Sequence, residues 1–460
     1  MRLALCGIER MQRMQAHMSI ETAPNTAPAA FRAGDAYRYY VVWVLCGVYT
    51  LNIMDRQLLA ILVEPIRREF GLTDTHMGFL GGLAFALFYT TLGMPLARLA
   101  DRTHRGNIIA VSIVVWSVFT ALTGFAKGFW HLLAARIGVG VGEAGCNPAA
   151  YSLIGDYFEP RRRATALSIY QIGGYAGAFA GLMLGGAIAQ EYGWRAAFYI
   201  VGLPGLAAAL LVKLTIREPP RGFSDPGQHA AAPPPALQVL RTLWAKRSFR
   251  HLSFAAALHN FAIYGAGNFY SAFLIRSHGL SLAEVGAQLG VVTLIGGVLG
   301  AYLGGLASDR LATKRKDSRY YLWVPAVLLL VGFPIYQLVY ALEDSTLVMW
   351  LLIPAIACSA AYLAPSITAT YGLVGVRERA LASALLLLIL NLIGLGFGPL
   401  LAGMLSDGLR GAFIERGVGE SAALAEGLRW SLRILVFVNI WSAFHYFRAA
   451  RTLREESHSA

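Results

Sequence analysis

Charged side chains are scarce in this chain: Asp, Glu, Lys and Arg make up only 14% of its 460 residues, whereas 56% are hydrophobic. Soluble globular domains carry about a quarter charged residues, so this shortage excludes an ordinary soluble domain. Apolar runs of about 20 residues recur along the chain, and a run of that length crosses the hydrocarbon core of a bilayer as an α-helix. The sequence therefore predicts an all-α membrane protein.

Recognisable catalytic and cofactor motifs are also missing. The four cysteines have no paired spacing, which argues against a disulfide framework or a metal site. The sequence contains no phosphate-binding loop, dinucleotide fingerprint or nucleophile elbow. We therefore expect no enzyme activity, no catalytic residue, no metal and no cofactor. The net charge of +13 does not indicate a nucleic-acid partner, because Lys and Arg cluster in short loops between apolar runs, as at a cytoplasmic membrane face.

The apolar runs divide into two sets of six around a polar segment rich in Pro and Gly. This pattern predicts a cytoplasmic tail over 1–37, a six-helix bundle over 38–215, a cytoplasmic linker over 216–249, a second bundle over 250–449 and a cytoplasmic tail over 450–460. Because the basic loops fall on the side of the termini, both termini are predicted to be cytoplasmic. We expect a monomeric, multi-pass protein of a bacterial inner (plasma) membrane. The predicted spans are approximately 38–63, 76–98, 107–126, 129–157, 164–190, 195–215, 250–275, 282–307, 320–341, 346–374, 380–405 and 428–449.

A motif repeats at matched positions in the two sets. Gly93 is followed by Asp101-Arg102 after span 2, and a glycine pair is followed by Asp309-Arg310 after span 8. Internal symmetry of this kind is typical of secondary transporters, whose substrate site lies between the repeats near the midplane. In span 5, glycines recur every fourth residue on one face, at Gly177, Gly181 and Gly185. We interpret this face as a seam for close helix packing.

Several stretches resemble a known family. The loop GMPLARLADRTHRG resembles the signature loop of the major facilitator superfamily, and the Gly177–Gly186 stretch is similar to its helix 5 glycine motif, with Leu182 where that motif has proline. The segments NIMDRQLLAILVEPIRREFG and ARIGVGVGEAGCNPAAY resemble the spinster group of lipid transporters. The resemblance implies two six-helix bundles, alternating access, and a central cavity lined by helices 1 and 4. Anion:cation symporters share the Asp-Arg and Arg…Glu patterns, so a symporter of small organic acids such as sugar acids remains an alternative.

The Asp-Arg repeats after spans 2 and 8 lie at the cytoplasmic ends of helices and are interpreted as a conformational latch. An Asp at the end of one helix can accept hydrogen bonds from the start of a neighbouring helix. We expect Gly93, Asp101, Arg102, Asp309 and Arg310 to stabilise the outward-open state. The alternative is that these charges only set topology.

Four charged residues lie inside apolar spans: Asp55 and Arg56 in span 1, and Arg136 and Glu143 in span 4. Such charges cost several kcal/mol unless they are paired or face a water-filled cavity. Arg136 and Glu143 are seven residues apart, so both point from one helix face. Asp55 and Arg136 have similar depth and are predicted to pair if their helices are neighbours.

Glu143 has no equally obvious partner. Because desolvation favours the neutral form of a carboxyl group, Glu143 is the predicted proton carrier, with Asp55 as a second proton-coupling group. Arg136, Arg56 and Asp55 are assigned to substrate binding, since a fixed cation holds phosphate or carboxylate. The structural alternatives are a static Arg136 counter-ion and a protonated Glu143 that hydrogen-bonds between helices.

The second set of spans contains no central charge. Its candidate binding residues are Asn260, Tyr264 and Tyr362, although buried amides that satisfy backbone breaks are equally compatible with these positions. Charge on one wall and an apolar, aromatic opposite wall suit an amphiphile with an anionic head. Together with the resemblance, the sequence predicts a transporter driven by the proton gradient. Its predicted substrates are lysophospholipid- or sphingoid-phosphate-like lipids.

Overall fold

The computed structural model describes residues 33–224, 235–375 and 378–457, and within these ranges all regular structure is helical. Most of the predicted tail over 1–37 lies outside the described residues. The described helices follow one another as twelve rods, six on each side of the linker, because several pairs of helices continue each other after a break of one or two residues. This is the all-helical architecture that the sequence predicts.

The first half contains nine helices in six rods. Rods 1, 2 and 4 each contain one break, and the remaining rods are single helices. The helices are α1 (Asp35–Ile61), α2 (Val63–Phe70), α3 (Asp74–Gly81), α4 (Leu83–Arg102), α5 (Arg105–Thr123), α6 (Phe129–Glu143), α7 (Cys146–Tyr157), α8 (Pro160–Tyr192) and α9 (Trp194–Thr215).

The linker contains a short helix, α10 (Ala236–Ala245), and the second half repeats the six-rod arrangement. Rod 11 changes to a π-helix over Asn391–Phe397 between α17 and α18. The helices are α11 (Arg247–Gly267), α12 (Tyr270–His278), α13 (Leu282–Arg315), α14 (Tyr320–Ala341), α15 (Ser345–Ala360), α16 (Leu363–Tyr371), α17 (Arg379–Leu390), α18 (Gly398–Glu415), α19 (Glu420–Val436) and α20 (Val438–Glu456).

Eight of the rods are long and apolar enough to cross a membrane, so the chain is an integral, multi-pass membrane protein. The rods over 35–70, 129–157, 247–278 and 420–456 do not meet that test. They are the rods that combine a break with charged or polar residues, including the four central charges of rods 1 and 4. A broken helix with polar side chains is tolerated at membrane depth where it lines a cavity.

The two halves are built alike. Rod 2 begins at a capping box in which Thr73 and His76 exchange hydrogen bonds, and rod 8 begins at the equivalent box of Ser281 and Glu284. We call the end of the molecule where α1 begins and α20 ends the terminal face, and the opposite end the distal face. At the terminal face Tyr37 donates to the carbonyl oxygen of Thr215 over 2.6 Å.

The glycine series of span 5 lies along α1. A Cβ on Gly177 would overlap the carbonyl oxygen of Thr50, and one on Gly181 would lie 2.7 Å from the carbonyl oxygen of Met54. The absence of side chains therefore lets α8 and α1 approach closely. Near the distal face, Gly186 of α8 packs in the same way against Leu282 of α13. This second glycine contact joins the two halves.

Candidate functional site

A central cavity of about 280 Å³ lies between the two halves. The first half contributes two guanidinium groups to its wall, and the second half contributes hydroxyl, amide and apolar groups. The polar and aromatic residues that line it are Arg56, Gln57, Phe85 and Arg136 from the first half and Tyr264, Asn268, Tyr270, Thr293, Tyr336 and Ser359 from the second. Positive charge is thus confined to one wall.

Arg56 forms an ion pair with Glu143. Its Nε lies 2.7 Å from Glu143 Oε2 and its Nη2 lies 2.6 Å from the same oxygen. The guanidinium also lies over the ring of Tyr89, 4.5 Å from the centroid, while Glu143 is 1% exposed. The expectation that Glu143 has no obvious partner is therefore wrong. Helix α1 brings Arg56 to the Glu143 carboxylate, whereas the adjacent Asp55 does not reach it.

Asp55 lies behind the cavity wall. It is 2% exposed, and neither carboxylate oxygen makes a hydrogen bond of normal geometry. Its strongest electrostatic neighbour is Arg136, and the hydroxyl of Thr120 faces it. No ion pair within 4.0 Å joins Asp55 to Arg136 among the described residues, so the predicted direct pair does not form in this conformation. Asp55 is also absent from the lining of the central cavity.

Arg136 presents a cation to the cavity without a carboxylate partner in the described part of the chain. Its Nε donates to the carbonyl oxygen of Leu80 over 3.4 Å, and its guanidinium lies 5.2 Å from the ring centroid of Phe85. Arg136 is 3% exposed and lines the cavity. Two guanidinium groups on one wall, separated by an aromatic ring, form a site that is suited to a phosphate or carboxylate group.

Of the three residues predicted for the second half, only Tyr264 lines the cavity. Tyr362 donates to Asn260 Oδ1 over 2.8 Å, and Asn260 Nδ2 donates to the carbonyl oxygen of Leu390 over 2.9 Å. Leu390 directly precedes the π-helix. Asn260 and Tyr362 therefore support an irregular helix behind the cavity, which is the structural alternative stated for buried amides.

Asn268 is the clearest polar residue that the sequence predictions left out of the binding site. It lies in the break between α11 and α12 and lines the cavity, and its buried Nδ2 has no hydrogen-bond partner. An unpaired buried amide is costly, so a ligand atom that accepts from it would be stabilised. Its place at a helix break is the signal that sequence reasoning could have used.

At the distal face, Arg276 of the second half joins two carboxylates of the first. Its Nε donates to Glu64 Oε2 over 2.7 Å, and its Nη1 and Nη2 each donate to an oxygen of Asp74 over 2.7 Å. The three side chains are almost completely buried. We call Glu64, Asp74 and Arg276 the distal gate. None of these residues was singled out from the sequence.

The environment of the gate holds Glu64 in its charged form. Glu64 lies in α2, beyond the end of span 1. Burial alone would raise the pKa of Glu64, but the guanidinium groups of Arg276 and Arg67 outweigh burial and lower the pKa to about 2. Asp407 of the second half extends the contact, because it accepts from the backbone N–H of Thr75 over 2.8 Å at the start of α3. The carboxylate of Asp407 thus lies at the N-terminus of α3, where a negative charge is favourable.

The predicted latch residues lie at the terminal face. Arg102, Asp309 and Arg310 are exposed, and the side chain of Asp101 is outside the described part of the structure. The backbone near Asp101 is held by Arg221, which donates to the carbonyl oxygens of Ala100 over 2.6 Å and Thr103 over 2.8 Å. The role of these residues as a latch stays a prediction.

A cavity between two similar helical halves in a membrane, closed by a gate at one end, defines a membrane transporter. Residues 45–353 match the model of the Major Facilitator Superfamily. The chain therefore belongs to the Major Facilitator Superfamily and is not an enzyme. This identification agrees with the family resemblance found in the loop after span 2 and in span 5.

Similar proteins place the chain among the spinster proteins of this superfamily. An MFS-type efflux pump of Mycolicibacterium smegmatis is 34% identical over 446 residues, which cover 96% of this chain and 100% of the pump. The sphingosine-1-phosphate transporter SPNS2 of Danio rerio is 26% identical over 421 residues, or 87% of this chain and 81% of that protein. The crystal structure of a bacterial homolog to the human lysosomal transporter Spinster, inward-facing and unoccupied, matches with a TM-score of 0.86 and 34% identity. It covers 93% of this chain and 100% of that one.

Proposed function

We propose that this protein is a proton-coupled secondary transporter of anionic amphiphiles, with a lysophospholipid- or sphingoid-phosphate-like substrate that crosses the membrane by alternating access. The observation that supports the proposal most strongly is the pair of guanidinium groups, Arg56 and Arg136, on one wall of an otherwise uncharged cavity. A phosphate head binds the cations, and an apolar tail lies against the second half. The relative from Danio rerio is named as a transporter of a lipid phosphate.

The terminal face is assigned to the cytoplasm of a bacterial inner membrane, because basic residues are concentrated in the loops on that side. The distal gate then lies on the outer side and is closed, so the conformation is inward-facing. The match to an inward-facing relative supports this assignment. Each chain contains a whole cavity, which is sufficient for transport by a monomer.

Proton coupling follows from competition for Arg56. The anionic substrate and the carboxylate of Glu143 both bind the same guanidinium, so each weakens the other. When a substrate anion takes Arg56, Glu143 is left buried and unpaired, and protonation removes the cost of that isolated charge. Substrate binding thereby drives proton uptake, and proton release restores the Arg56–Glu143 ion pair. The pair of Asp55 and Arg136 that the sequence predicts does not form in this conformation, so the proposed competition is between the substrate and Glu143 for Arg56.

Small organic acids such as sugar acids are the alternative substrates, because two cations also suit a carboxylate. A sugar acid needs several polar partners around its hydroxyl groups. The second half offers Asn268, Thr293 and Ser359 but also a broad apolar surface that includes Ile263, Leu289 and Ile356. The apolar surface favours the amphiphile.

Binding of lysophosphatidylglycerol, sphingosine-1-phosphate and a sugar acid to the purified protein at pH 5.5 and 7.5 tests the proposal. We expect the lipids to bind more tightly than the sugar acid. Arg56→Ala should weaken lipid binding by about 10- to 100-fold, since a hydrogen bond to a charged group contributes about 1.5–3 kcal/mol. Lys127→Ala, which removes an exposed cation away from the cavity, is the control and should bind normally. Preferential sugar-acid binding that Arg56→Ala abolishes would replace the lipid assignment with the organic-acid one.

A further inference from the structure

A second cavity, which we call the lateral groove, lies on the outer surface of the second half. It has a volume of about 440 Å³ and is formed by α13, α14 and α15. Its lining is apolar or aromatic throughout apart from the thiol of Cys358 and the hydroxyl of Tyr320. The volume is within the range of about 300–1,000 Å³ that is typical of small-molecule sites.

The floor of the lateral groove is built from small residues. Gly300 and Gly304 of α13 pack against Ala357 of α15 and Ala361 just after it, so closely that a Cβ on either glycine would overlap its neighbour. Larger residues rise on both sides, including Leu303 at 53% exposure and Val327 at 49% exposure. This arrangement makes a slot with its open side toward the lipid.

Aromatic rings and cations lie at the terminal-face end of the slot. The rings of Tyr320 and Trp323, both of which line the groove, meet edge to face with centroids 5.1 Å apart. The guanidinium of Arg319 lies 4.7 Å from the centroid of Trp323 and is paired with Asp317, with Nη2 2.6 Å from Oδ2. Lys314 and Arg315 at the end of α13 and Lys316 directly after it are exposed. Tyr and Trp are enriched at the level of lipid headgroups, so the loop cations lie where the phosphate of a bound lipid would be.

We propose that the lateral groove binds an anionic phospholipid of the leaflet next to the terminal face. One acyl chain fills the slot between α13 and α14, and the phosphate contacts the exposed cations Lys314, Arg315 and Lys316. Basic pockets between transmembrane helices recognise anionic headgroups, while the absence of charge within the slot suits an acyl chain.

The groove is separate from the central cavity, so the inference does not depend on the transported substrate. Helix α15 has one face on each site: Ile356 and Ser359 line the central cavity, and Ala357 and Cys358 line the groove. On α13, Thr293 lines the central cavity, whereas the groove begins at Leu299. The bound lipid therefore lies against the outer side of the same helices that form the cavity wall.

Native mass spectrometry of the detergent-purified protein measures the proposed binding directly. The protein is titrated with phosphatidylglycerol or phosphatidylcholine of identical acyl chains. Ala307→Trp fills the slot, and Val298→Trp is the matched control, because Val298 is 43% exposed on the same helix outside the groove. We expect Ala307→Trp to lose one tightly bound phosphatidylglycerol that wild type and the control retain. Replacement of Lys314, Arg315 and Lys316 by Gln should weaken retention at least about tenfold.

Trp323 provides a second measurement that does not require a groove-filling variant to fold. Phosphatidylglycerol with brominated acyl chains should quench the fluorescence of wild type more than that of Trp323→Phe, and brominated phosphatidylcholine should show a smaller difference. Equal retention of phosphatidylglycerol by wild type and Ala307→Trp, or equal quenching of wild type and Trp323→Phe, overturns the site. Equal binding of phosphatidylglycerol and phosphatidylcholine would contradict the proposed preference for an anionic headgroup.

Discussion

The distal gate makes the conformational equilibrium of this transporter sensitive to one residue, Arg276. Its guanidinium donates three charge-assisted hydrogen bonds, each 2.7 Å long: one to Glu64 and two to Asp74. In the substitution Arg276→Gln the cation is lost, while both carboxylates stay on the first half. We expect this variant to favour the conformation that is open at the distal face.

The magnitude follows from burial. Arg276 is 3% exposed in its side chain, and the two carboxylates are 2% and 0% exposed. Removal of one partner from a buried ion pair costs about 3–5 kcal/mol where the remaining charge is left without compensation. Glu64 keeps its ion pairs with Arg67 and Arg68, whereas Asp74 keeps only the hydroxyl of Ser406 among the described residues, so the cost falls on Asp74 and we take the lower end of this range. We expect water to hydrate both carboxylates once the distal face opens, so the cost applies to the closed state. Since 1.36 kcal/mol is a factor of ten, the open-to-closed ratio should rise by at least about 100-fold.

Double electron–electron resonance between labels on the two halves reads this ratio. Tyr192 at the end of α8 and Leu347 at the start of α15 are exposed at the distal face, and cysteines at these positions carry the spin labels after the native cysteines are replaced. Wild type should show mainly a short distance. Arg276→Gln should show mainly a longer one.

A control variant separates gating from the general loss of an ion pair. Arg410 pairs with Glu420 over 2.5 Å within the second half, and Glu420 is mostly exposed. Exposed pairs contribute about 0–1 kcal/mol, so Arg410→Gln should leave the distance distribution unchanged. If Arg276→Gln gives the same distribution as wild type and Arg410→Gln, the gate does not hold the halves together, and the reasoning from burial is refuted.

Four further predictions concern single groups. Glu143→Gln should abolish the pH dependence of uptake into proteoliposomes without loss of folding, since Arg56 then no longer has a titrating partner; full proton-driven uptake by the variant would contradict this role. Arg136→Ala should lose binding of phosphate-bearing lipids in calorimetry, and Arg136→Lys should recover only part of it because a point charge lacks the planar fork. Asp101→Asn should shift the ratio of inward- to outward-facing molecules by about 5- to 150-fold through the loss of hydrogen bonds across the helix ends; cysteine accessibility on both faces measures this ratio, and unchanged labelling would mean that the loop only sets topology. Because the pKa of Glu64 is lowered from 4.5 to about 2, its contribution to gate closure is complete above pH 4.5 and is lost only as the pH falls through about 2, so distal label distances should agree at pH 7.5 and 5.5.

The architecture was predictable because it depends on one strong constraint. Apolar runs of membrane length and a repeated Gly…Asp-Arg pattern indicate two similar helical halves. The cost of a charge at membrane depth likewise identified Arg56, Arg136 and Glu143 as residues with a special environment. The structure brings these three residues together beside the central cavity.

The ion pair between Arg56 and Glu143 was not predictable, because depth along a helix does not determine the direction in which a side chain points. Asp55 and Arg56 differ in depth by about 1.5 Å but point about 100° apart around the helix axis. Which of them reaches Glu143 therefore depends on the rotation of α1, and the close packing of α1 on the glycines of α8 fixes that rotation. Sequence reasoning assigned Arg136 to Asp55 by depth alone.

The distal gate escaped prediction for a related reason. Glu64, Asp74 and Arg276 lie near the ends of helical rods, where charged residues are ordinary in any membrane protein. Their contact depends on how the two halves pack against each other at the distal face. A contact between residues more than 200 positions apart has no local signature in a single sequence.

The gate and the binding cavity are joined by one short helix. Asn268 lies in the break before α12, and Tyr270, the first residue of α12, lines the cavity. Arg276 lies six residues beyond Tyr270, which is about 9 Å along the helix. Ser271 fixes the near end of this helix to the first half by donating to the carbonyl oxygen of Ala60. A ligand held by the cations of the first half and by the amide of Asn268 therefore acts on the helix that carries the gate arginine. Because α12 has only nine residues and no break of its own, it transmits a displacement at one end to the other. Cavity occupancy and gate closure are thus expected to be coupled through the position of α12.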